Sequence, residues 1–507
     1  MPPHWPLARK ANLWPTPRSD GMKRWPGVRQ VGLAFGVGAV MALGQAPLDA
    51  WYLTLPALAG LIALIARQDG IWLSAFVGWF GGAGYFGLSL SWIVEPFFID
   101  FAHDGWMAPF APVLLAFGLG LFWAAAGALA GWSRRPVLGM VAGLGLAELA
   151  RGYVLTGFPW ALIGHVWIDT PVALMAAFVG PSGLTLLTLA LAAGLQRWRL
   201  VPVFAAMLAA VWGLGLWQLR QPDPAATGVT VRLVQPNAGQ AAKWDPDNAR
   251  VFFDRLMAFS AAKPAVDLVI WPETALPYLL HSNPGLAEAI GAAAGVPVVV
   301  GLQRIDGARA WNGLKVLDGD GAVIAAYDKH HLVPFGEYLP FGDVLYDWFG
   351  ITAFAAQAGA GYTAGPGPQV LDLGPKLGRV LPLICYEAVF PQDLRGAGRA
   401  DWLLQITNDA WFGTLTGPFQ HAAQARLRAI EQGLPLVRVA NTGVTVVFDA
   451  RGREVGSLPF QTAAYLDVAL PGPLSWTIYA RWGEIPVLVM LAGLCIGLIR
   501  RRKAFVA

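Results

Sequence analysis

The apolar positions of this chain fall into two regimes. Up to about residue 220 they run in long stretches, at roughly 27–45, 51–66, 71–94, 107–132, 136–152, 171–196 and 200–219, divided by short polar connectors. A helix needs about 20 apolar residues to span hydrocarbon, so these stretches predict seven membrane helices, the second and fifth being short for the task. From Gln221 to Ile478 the pattern changes to short β-branched runs between Gly/Pro turns and mixed-charge stretches. Val229–Val234, Val266–Trp271, Val296–Leu302, Leu314–Leu317, Val380–Cys385, Trp402–Thr407, Leu436–Ala440 and Val444–Phe448 predict strands; 247–262, 284–294 and 419–433 predict helices. Strands alternating with helices argue for a layered α/β sandwich. A last apolar run, Ile485–Ile499, predicts an eighth span. The chain thus divides into a leader (1–26), seven helices (27–220), an α/β domain (221–480), a final helix (484–499) and a tail (500–507).

Composition agrees with this division. Only 13% of the 507 residues are charged, against roughly a quarter in soluble proteins. That excludes a disordered chain and leaves too little charge to cover a water-soluble globule. Mean hydropathy is +0.50, and 23 Trp and 60 Gly are further membrane signals. The length exceeds what one compact core organises.

The placement of the charge says more than its amount. Basic residues gather in the leader (Arg9, Lys10, Arg18, Lys23, Arg24, Arg29), at Arg67, Arg134, Arg135, Arg197 and Arg199, and in the tail (Arg500, Arg501, Arg502, Lys503). The alternate loops 45–50 and 95–106 hold no Lys or Arg. By the positive-inside rule both termini are cytoplasmic and the α/β domain lies across the membrane. A net charge of +4 without a basic stripe argues against nucleic-acid binding. Two cysteines, Cys385 and Cys495, make neither a disulfide framework nor a metal cluster.

Three segments of the α/β domain place a reactive side chain where a predicted strand ends, the usual place for a site in such sheets. Val269-Ile-Trp-Pro-Glu273-Thr-Ala-Leu-Pro277 runs an apolar strand into a carboxylate. Tyr327-Asp-Lys329-His-His-Leu-Val-Pro-Phe-Gly-Glu337-Tyr-Leu-Pro340 concentrates charge in a chain poor in it. His330 and His331 are adjacent, so on a helix or strand they would face apart, which argues against a two-His metal site. Leu381-Pro-Leu-Ile-Cys385-Tyr-Glu387-Ala-Val-Phe-Pro391 puts a thiol at the third strand end. Singly, each has a bland reading: a solvated turn, a polar loop, a small buried hydrophobe. Together they form a nucleophilic set in which a carboxylate takes the thiol proton and an ammonium favours thiolate and oxyanion.

In this order the three segments resemble the Glu-Lys-Cys triad of the nitrilase superfamily. The strings His-Leu-Val-Pro-Phe-Gly-Glu-Tyr-Leu-Pro and Thr407-Asn-Asp-Ala-Trp-Phe-Gly413, with the flanking helices, resemble the bacterial apolipoprotein N-acyltransferase family over nearly the whole chain. That resemblance implies a four-layer αββα domain on the periplasmic face of the inner membrane. It implies Glu273 as general base, Lys329 as oxyanion stabiliser and Cys385 as nucleophile. Glu337, Tyr386 and Glu387 match supporting residues, and Trp244 and Trp411 match aromatics tied to activity or substrate access, although Trp244 reads equally as a packing residue. The implied reaction moves an acyl chain from a phospholipid, expected to be phosphatidylethanolamine, through a Cys thioester to the α-amine of a diacylglyceryl-cysteine apolipoprotein. No cofactor and no metal is implied, and a monomer is expected.

A membrane-anchored amidase acting on a small amide or nitrile would use the same triad but would not need eight helices. A transporter reading leaves the triad as coincidence, with Glu95, Glu148 and Asp169 its only polar path. The segment Leu345–Thr363, carrying Trp348, Phe349, Ile351 and Phe354 among glycines, reads either as a lid at the membrane surface or as a buried apolar segment. If it is a lid, replacing Trp348 and Phe349 by Ser lowers turnover on phospholipid in vesicles; an unchanged rate rejects the lid.

Overall fold

A computed structural model describes residues 27–503 apart from Ala241, Ala308 and 341–360. Helices occupy all seven N-terminal apolar stretches: α1 (Val28–Ala42), α2 (Trp51–Ala66), α3 (Ile71–Ser89), α4 (Ala111–Trp132), α5 (Pro136–Arg151), α6 (Ala176–Gly194) and α7 (Val201–Leu219). The 71–94 run stops as an α-helix at Ser89 and continues as 3-10 turns over Ser91–Phe98, where Pro96 cannot continue an α-helical ladder. Among the described residues, four segments, Ile71–Ser89, Phe101–Trp132, Pro171–Gly194 and Trp198–Leu219, are long and apolar enough to cross a membrane; α1, α2 and Ile485–Leu498 are shorter apolar helices.

Small residues set the helix packing. A Cβ on Gly38 of α1 would lie 2.0 Å from the Gly81 carbonyl of α3, and one on Gly84 would lie 2.0 Å from the Phe35 carbonyl. Such close backbone approach is how helices associate where lipid removes the hydrophobic drive. Of α7 only Gly215 is buried, so it presents an apolar surface suited to hydrocarbon. A buried ion pair interrupts the apolar interior of α5. Arg151 bonds Glu148 at 2.7 Å, Trp123 donates to Glu148 at 2.9 Å, and Arg151 also donates to the carbonyls of Phe158 (2.5 Å) and Trp160 (2.7 Å). These bonds hold the loop after α5 against that helix.

That domain is built on two six-stranded sheets. One has the order β12-β1-β2-β3-β4-β5, the other β11-β10-β9-β8-β7-β6. The first comprises β1 (Thr230–Gln235), β2 (Leu268–Ile270), β3 (Val298–Asp306), β4 (Arg309–Leu317), β5 (Val323–Asp328) and β12 (Ala464–Ala469). The second comprises β6 (Leu371–Asp372), β7 (Arg379–Ile384), β8 (Trp402–Thr407), β9 (Leu436–Ala440), β10 (Val446–Phe448) and β11 (Glu454–Ser457). The central strands β1–β2–β3 and β7–β8–β9 are parallel and the flanking pairs antiparallel. Alternation along the strands sends Leu233, Ile270 and Val299 inward against Ile384, Ile406 and Val439, a core that continues into the helical region. The opposite faces pack on α8 (Pro246–Ser260) and α9 (Leu286–Ala294) for the first sheet, and on α10 (Pro391–Gly396) and α11 (Gly417–Gln432) for the second. The result is the four-layer αββα sandwich. A final helix, α12 (Ile485–Lys503), returns to the bundle and packs on α5 and α6.

All eight expected strands are present. The four not foreseen, β5, β6, β11 and β12, are edge or near-edge strands; β5 and β11 leave most of their side chains partly or fully exposed, and β6 is two residues long. Most of Leu345–Thr363 lies outside the described residues; its end, Gly361–Thr363, bonds back to Tyr338, Glu337 and Ala310. Replacing Gly38 by Leu should force α1 from α3 and destabilise the protein by about 1–3 kcal/mol, read as a lower Tm in detergent. An unchanged Tm would mean the two helices do not depend on that contact.

Candidate active site

The three reactive side chains arise where β2, β5 and β7 end. β2 runs into Trp271 and Pro272 and delivers Glu273, which is 6% exposed. Its carboxylate accepts from Asn312 Nδ2 at 2.6 Å and from the Asn408 backbone N–H at 2.7 Å. β5 ends at Asp328, and the next residue, Lys329, is 1% exposed. Its Nζ lies 2.8 Å from Glu337 and 3.8 Å from Glu273. Glu337 is itself held by Asn312 Nδ2 (3.0 Å) and the Val333 N–H (2.9 Å). One lysine and one asparagine thus bridge two carboxylates.

β7 delivers Cys385 with φ of 52°. That is strained for a residue with a side chain, and it turns the chain abruptly into the 3-10 turn Cys385–Val389. The Cys385 carbonyl accepts from Gln405 Nε2 at 3.1 Å, and His421 Nε2 lies 3.0 Å from it. Burial, reinforced by Glu273, pushes the thiol far above its ordinary range, while Lys329 and the Thr407 hydroxyl oppose the rise. Burial likewise raises Glu273, opposed by Lys329. Burial would lower the Lys329 ammonium, but Glu337, Cys385 and Glu273 outweigh it and hold it charged. A thiol, a carboxylate and a permanent cation therefore interact in one enclosure, which suits proton transfer from sulfur and stabilisation of a nearby oxyanion.

The other expected residues fall into distinct places. Glu387 is fully buried behind Cys385 and accepts from the N–H groups of Ile384 (2.7 Å), His330 (2.8 Å) and His331 (3.2 Å) and from the Tyr327 hydroxyl (2.9 Å). Tyr386 turns toward the helical region, donating to the Gly157 carbonyl at 3.4 Å and packing near Phe158. Trp244 and Trp411 are half-buried. Trp244 lies under the Lys243 ammonium, 5.3 Å from its ring centre, and Trp411 sits in the turn Asp409–Phe412.

Several residues of the site were not foreseen. Asn312, midway along β4, gives no local signal. Lys243 is buried, donates to the Thr274 hydroxyl at 2.7 Å, and is pulled down to about 8 by burial against the attraction of Glu273. Beneath Cys385, Asp409 is gripped by Arg438 through two 2.9 Å bonds and lies 3.1 Å from His421 Nδ1, all three side chains being essentially inaccessible. Burial would raise Asp409, but Arg438 and His421 hold it well below the carboxylate range. Its signal lay in the Thr407–Gly413 string, where an acid sits among apolar residues. The adjacent histidines also behave differently from expectation. They lie on a loop, not a strand, so both turn to Asp393: His331 Nδ1 at 2.9 Å and His330 Nε2 at 3.3 Å.

Two family models match the chain: the apolipoprotein N-acyltransferase N-terminal domain over residues 37–194 and the carbon-nitrogen hydrolase domain over residues 215–472. A protein of Brucella melitensis named apolipoprotein N-acyltransferase is 38% identical, covering 94% of this chain and 97% of that one. One of the same name from Rhodopseudomonas palustris is 35% identical, covering 94% and 96%. Among solved structures, an amidase from Nesterenkonia sp. is 20% identical, covers 50% of this chain and 93% of its own, and superposes with a TM-score of 0.36.

The Asp409–Arg438 pair sets a stability prediction. Asp409→Asn leaves the guanidinium buried without its counter-charge and should cost about 3–5 kcal/mol. Because the folded carboxyl is depressed, the stabilisation is present at neutral pH and fades as pH falls below the ordinary carboxylate range. Thermal unfolding of both proteins from pH 7 to pH 3 tests this; equal Tm values at pH 7 would sink it.

Proposed function

The chain belongs to the apolipoprotein N-acyltransferase family, and from that premise we propose that Cys385 carries an acyl chain between two lipid substrates. In the resting site the proton stays on sulfur, as the raised thiol requires. As Cys385 attacks an ester carbonyl of a phospholipid, expected to be phosphatidylethanolamine, Glu273 takes that proton and Lys329 faces the developing oxyanion. Collapse of the tetrahedral adduct breaks the ester C–O bond. Glu273 returns the proton to the departing lysophospholipid alkoxide, leaving a thioester on Cys385. The α-amine of a diacylglyceryl-cysteine apolipoprotein then attacks the thioester carbonyl, losing a proton to Glu273 as the C–N bond forms. Cleavage of the C–S bond regenerates the thiol with that proton, so acyl group and protons balance over the cycle. Two substrates using one site in turn predicts ping-pong kinetics.

The observation that carries this reading is the inaccessible Lys329 ammonium, set between Glu337 and Glu273 and coupled to a strained, buried cysteine. Glu337 fixes the lysine and Glu387 fixes the turn after Cys385; Tyr386, Trp244 and Trp411 are assigned to substrate access on the family resemblance. The apolar helices support delivery of both lipids within the membrane plane, and the basic connectors support a cytoplasmic location for both termini, with the catalytic domain in the periplasm.

The test is phospholipid labelled in its acyl chains, given to the purified full-length protein without an acceptor. Label should appear on Cys385 as a thioester labile to hydroxylamine and pass to a diacylglyceryl peptide added later. Cys385→Ala should abolish both steps, and Glu273→Gln should slow the first by about 10²–10⁴-fold. Transfer persisting in Cys385→Ala would overturn the mechanism. Hydrolysis of small soluble amides with no label on Cys385 would favour the amidase alternative.

A further inference from the structure

His330 is not needed as an acid, base or nucleophile in that cycle, yet it follows Lys329 directly and is enclosed by charge. Its side chain is 12% exposed. Nδ1 lies 2.6 Å from Glu387 Oε1 and 2.7 Å from the Tyr327 hydroxyl oxygen, and Nε2 lies 3.3 Å from Asp393 Oδ2. The hydrogen bond of the ring is the one between Nδ1 and the Tyr327 hydroxyl, and the two carboxylates stand at ion-pair distance without aligned hydrogen bonds. A neutral imidazole has no charge to hold them, whereas the imidazolium attracts both. The carboxylates belong to the Cys385 side of the site, Glu387 in the turn Cys385–Val389 and Asp393 in α10. The ring belongs to the Lys329 side.

We propose that His330, as an imidazolium, is a positioning residue that ties the lysine-bearing segment to the cysteine-bearing segment through Glu387 and Asp393. The inference rests on the acyl-transfer reading above, since it gives the tie its purpose: holding the Lys329 ammonium in register with Cys385. Each element packed around the ring contributes. From β5 comes the Tyr327 hydroxyl, which donates to Glu387 and is kept neutral chiefly by burial and by Glu387. From the turn after β7 comes Glu387, and from α10 comes Asp393. From the neighbouring residue comes His331, stacked on Phe390 at 3.5 Å with Nδ1 on Asp393. Burial pulls His330 down, but the Asp393 and Glu387 carboxylates beside it push it up to about 9.

The sign follows. A pKa raised in the folded state gives a tie that is complete below the ordinary value of 6.5 and is lost as pH rises through about 9. The backbone N–H groups of His330 and His331 still donate to Glu387 after the ring loses its proton. Deprotonation therefore loosens the two segments without separating them.

The experiment follows the rate of Cys385 acylation by labelled phospholipid from pH 6 to pH 10, with full-length protein in EDTA. The wild-type rate should fall about tenfold between about pH 8 and pH 10. His330→Gln should start at that lower rate at pH 7 and lack the alkaline fall. Asp393→Asn, which leaves Glu387 in place, should shift the fall to lower pH, and it serves as the readout where His330→Gln unfolds. Wild-type rate at pH 7 in His330→Gln, or an alkaline fall that survives the substitution, would overturn the tie. So would a wild-type rate that collapses in EDTA and returns with Zn²⁺, since His330, His331 and Asp393 would then be metal ligands. No acylation of wild-type protein at any pH would instead fail the acyl-transfer reading itself.

Discussion

The Lys329 ammonium is the constraint from which the rest of the site follows. A cation removed from water persists only if opposite charge lies within a few ångströms and its donors are satisfied. Glu337 at 2.8 Å and Glu273 at 3.8 Å meet that need. Two carboxylates so close to each other need donors of their own, which Asn312, Val333 and Asn408 provide. Those donors come from β4, the loop after β5 and the end of β8, so the site can close only after both sheets have packed. Burial, with Glu337 adding to it and Lys329 and Asn312 opposing, makes Glu273 harder to ionise than a surface glutamate, and that suits a group that must accept a proton and return it.

The helical region is joined to this network through polar contacts rather than apolar packing alone. Arg151, paired with Glu148, fixes the carbonyls of Phe158 and Trp160. The loop so held meets Tyr386 through Gly157 and Gln392 through Gly152, while Trp160 donates to Gln420 of α11 at 2.8 Å. Tyr386 and Gln392 belong to the segment that begins at Cys385, and Gln420 precedes His421, whose ring faces the Cys385 carbonyl. The geometry of the thiol is therefore set from both sides. A buried ion pair inside α5 is costly, and the directional bonds it makes to the adjacent loop account for its presence.

Much of this was legible in the sequence, for identifiable reasons. Seven helices stood out because lipid-facing and bundle-facing positions are both apolar, leaving no polar face to blur the pattern. Strands β1, β2, β3, β7, β8 and β9 stood out because they are buried on both faces and read as continuous β-branched runs. The edges β5, β11 and β12 were invisible because most of their side chains are partly or fully exposed, and β6 because it is two residues long. Glu273, Lys329 and Cys385 were marked by reactive groups at strand ends in a chain with little charge. Asn312, Lys243, His421 and Arg438 were not, because their roles depend on partners far away in sequence: Asn312 meets Glu273 across 39 residues and Arg438 meets Asp409 across 29. The paired histidines misled for a related reason, since facing-apart geometry holds on a strand or helix and Lys329–His331 is neither.

The scarcity of charge that marks the whole chain bears on the chemistry as well. On the proposed cycle both substrates are lipids, so the site must admit long apolar chains while excluding water that would hydrolyse the thioester. A site that relied on solvated charges would lose them as lipid displaced water. Here the buried charges are already partnered internally, Lys329 by Glu337 and Glu273 and Asp409 by Arg438, so an arriving acyl chain displaces no hydration on which these pairs rely. The group left without a full counterpart is the Cys385 thiol, held neutral until an electrophile reaches it. Reactivity is thereby tied to the arrival of the ester: an empty site keeps an inert thiol, and the oxyanion of the tetrahedral adduct is the new negative charge that Lys329 is placed to meet.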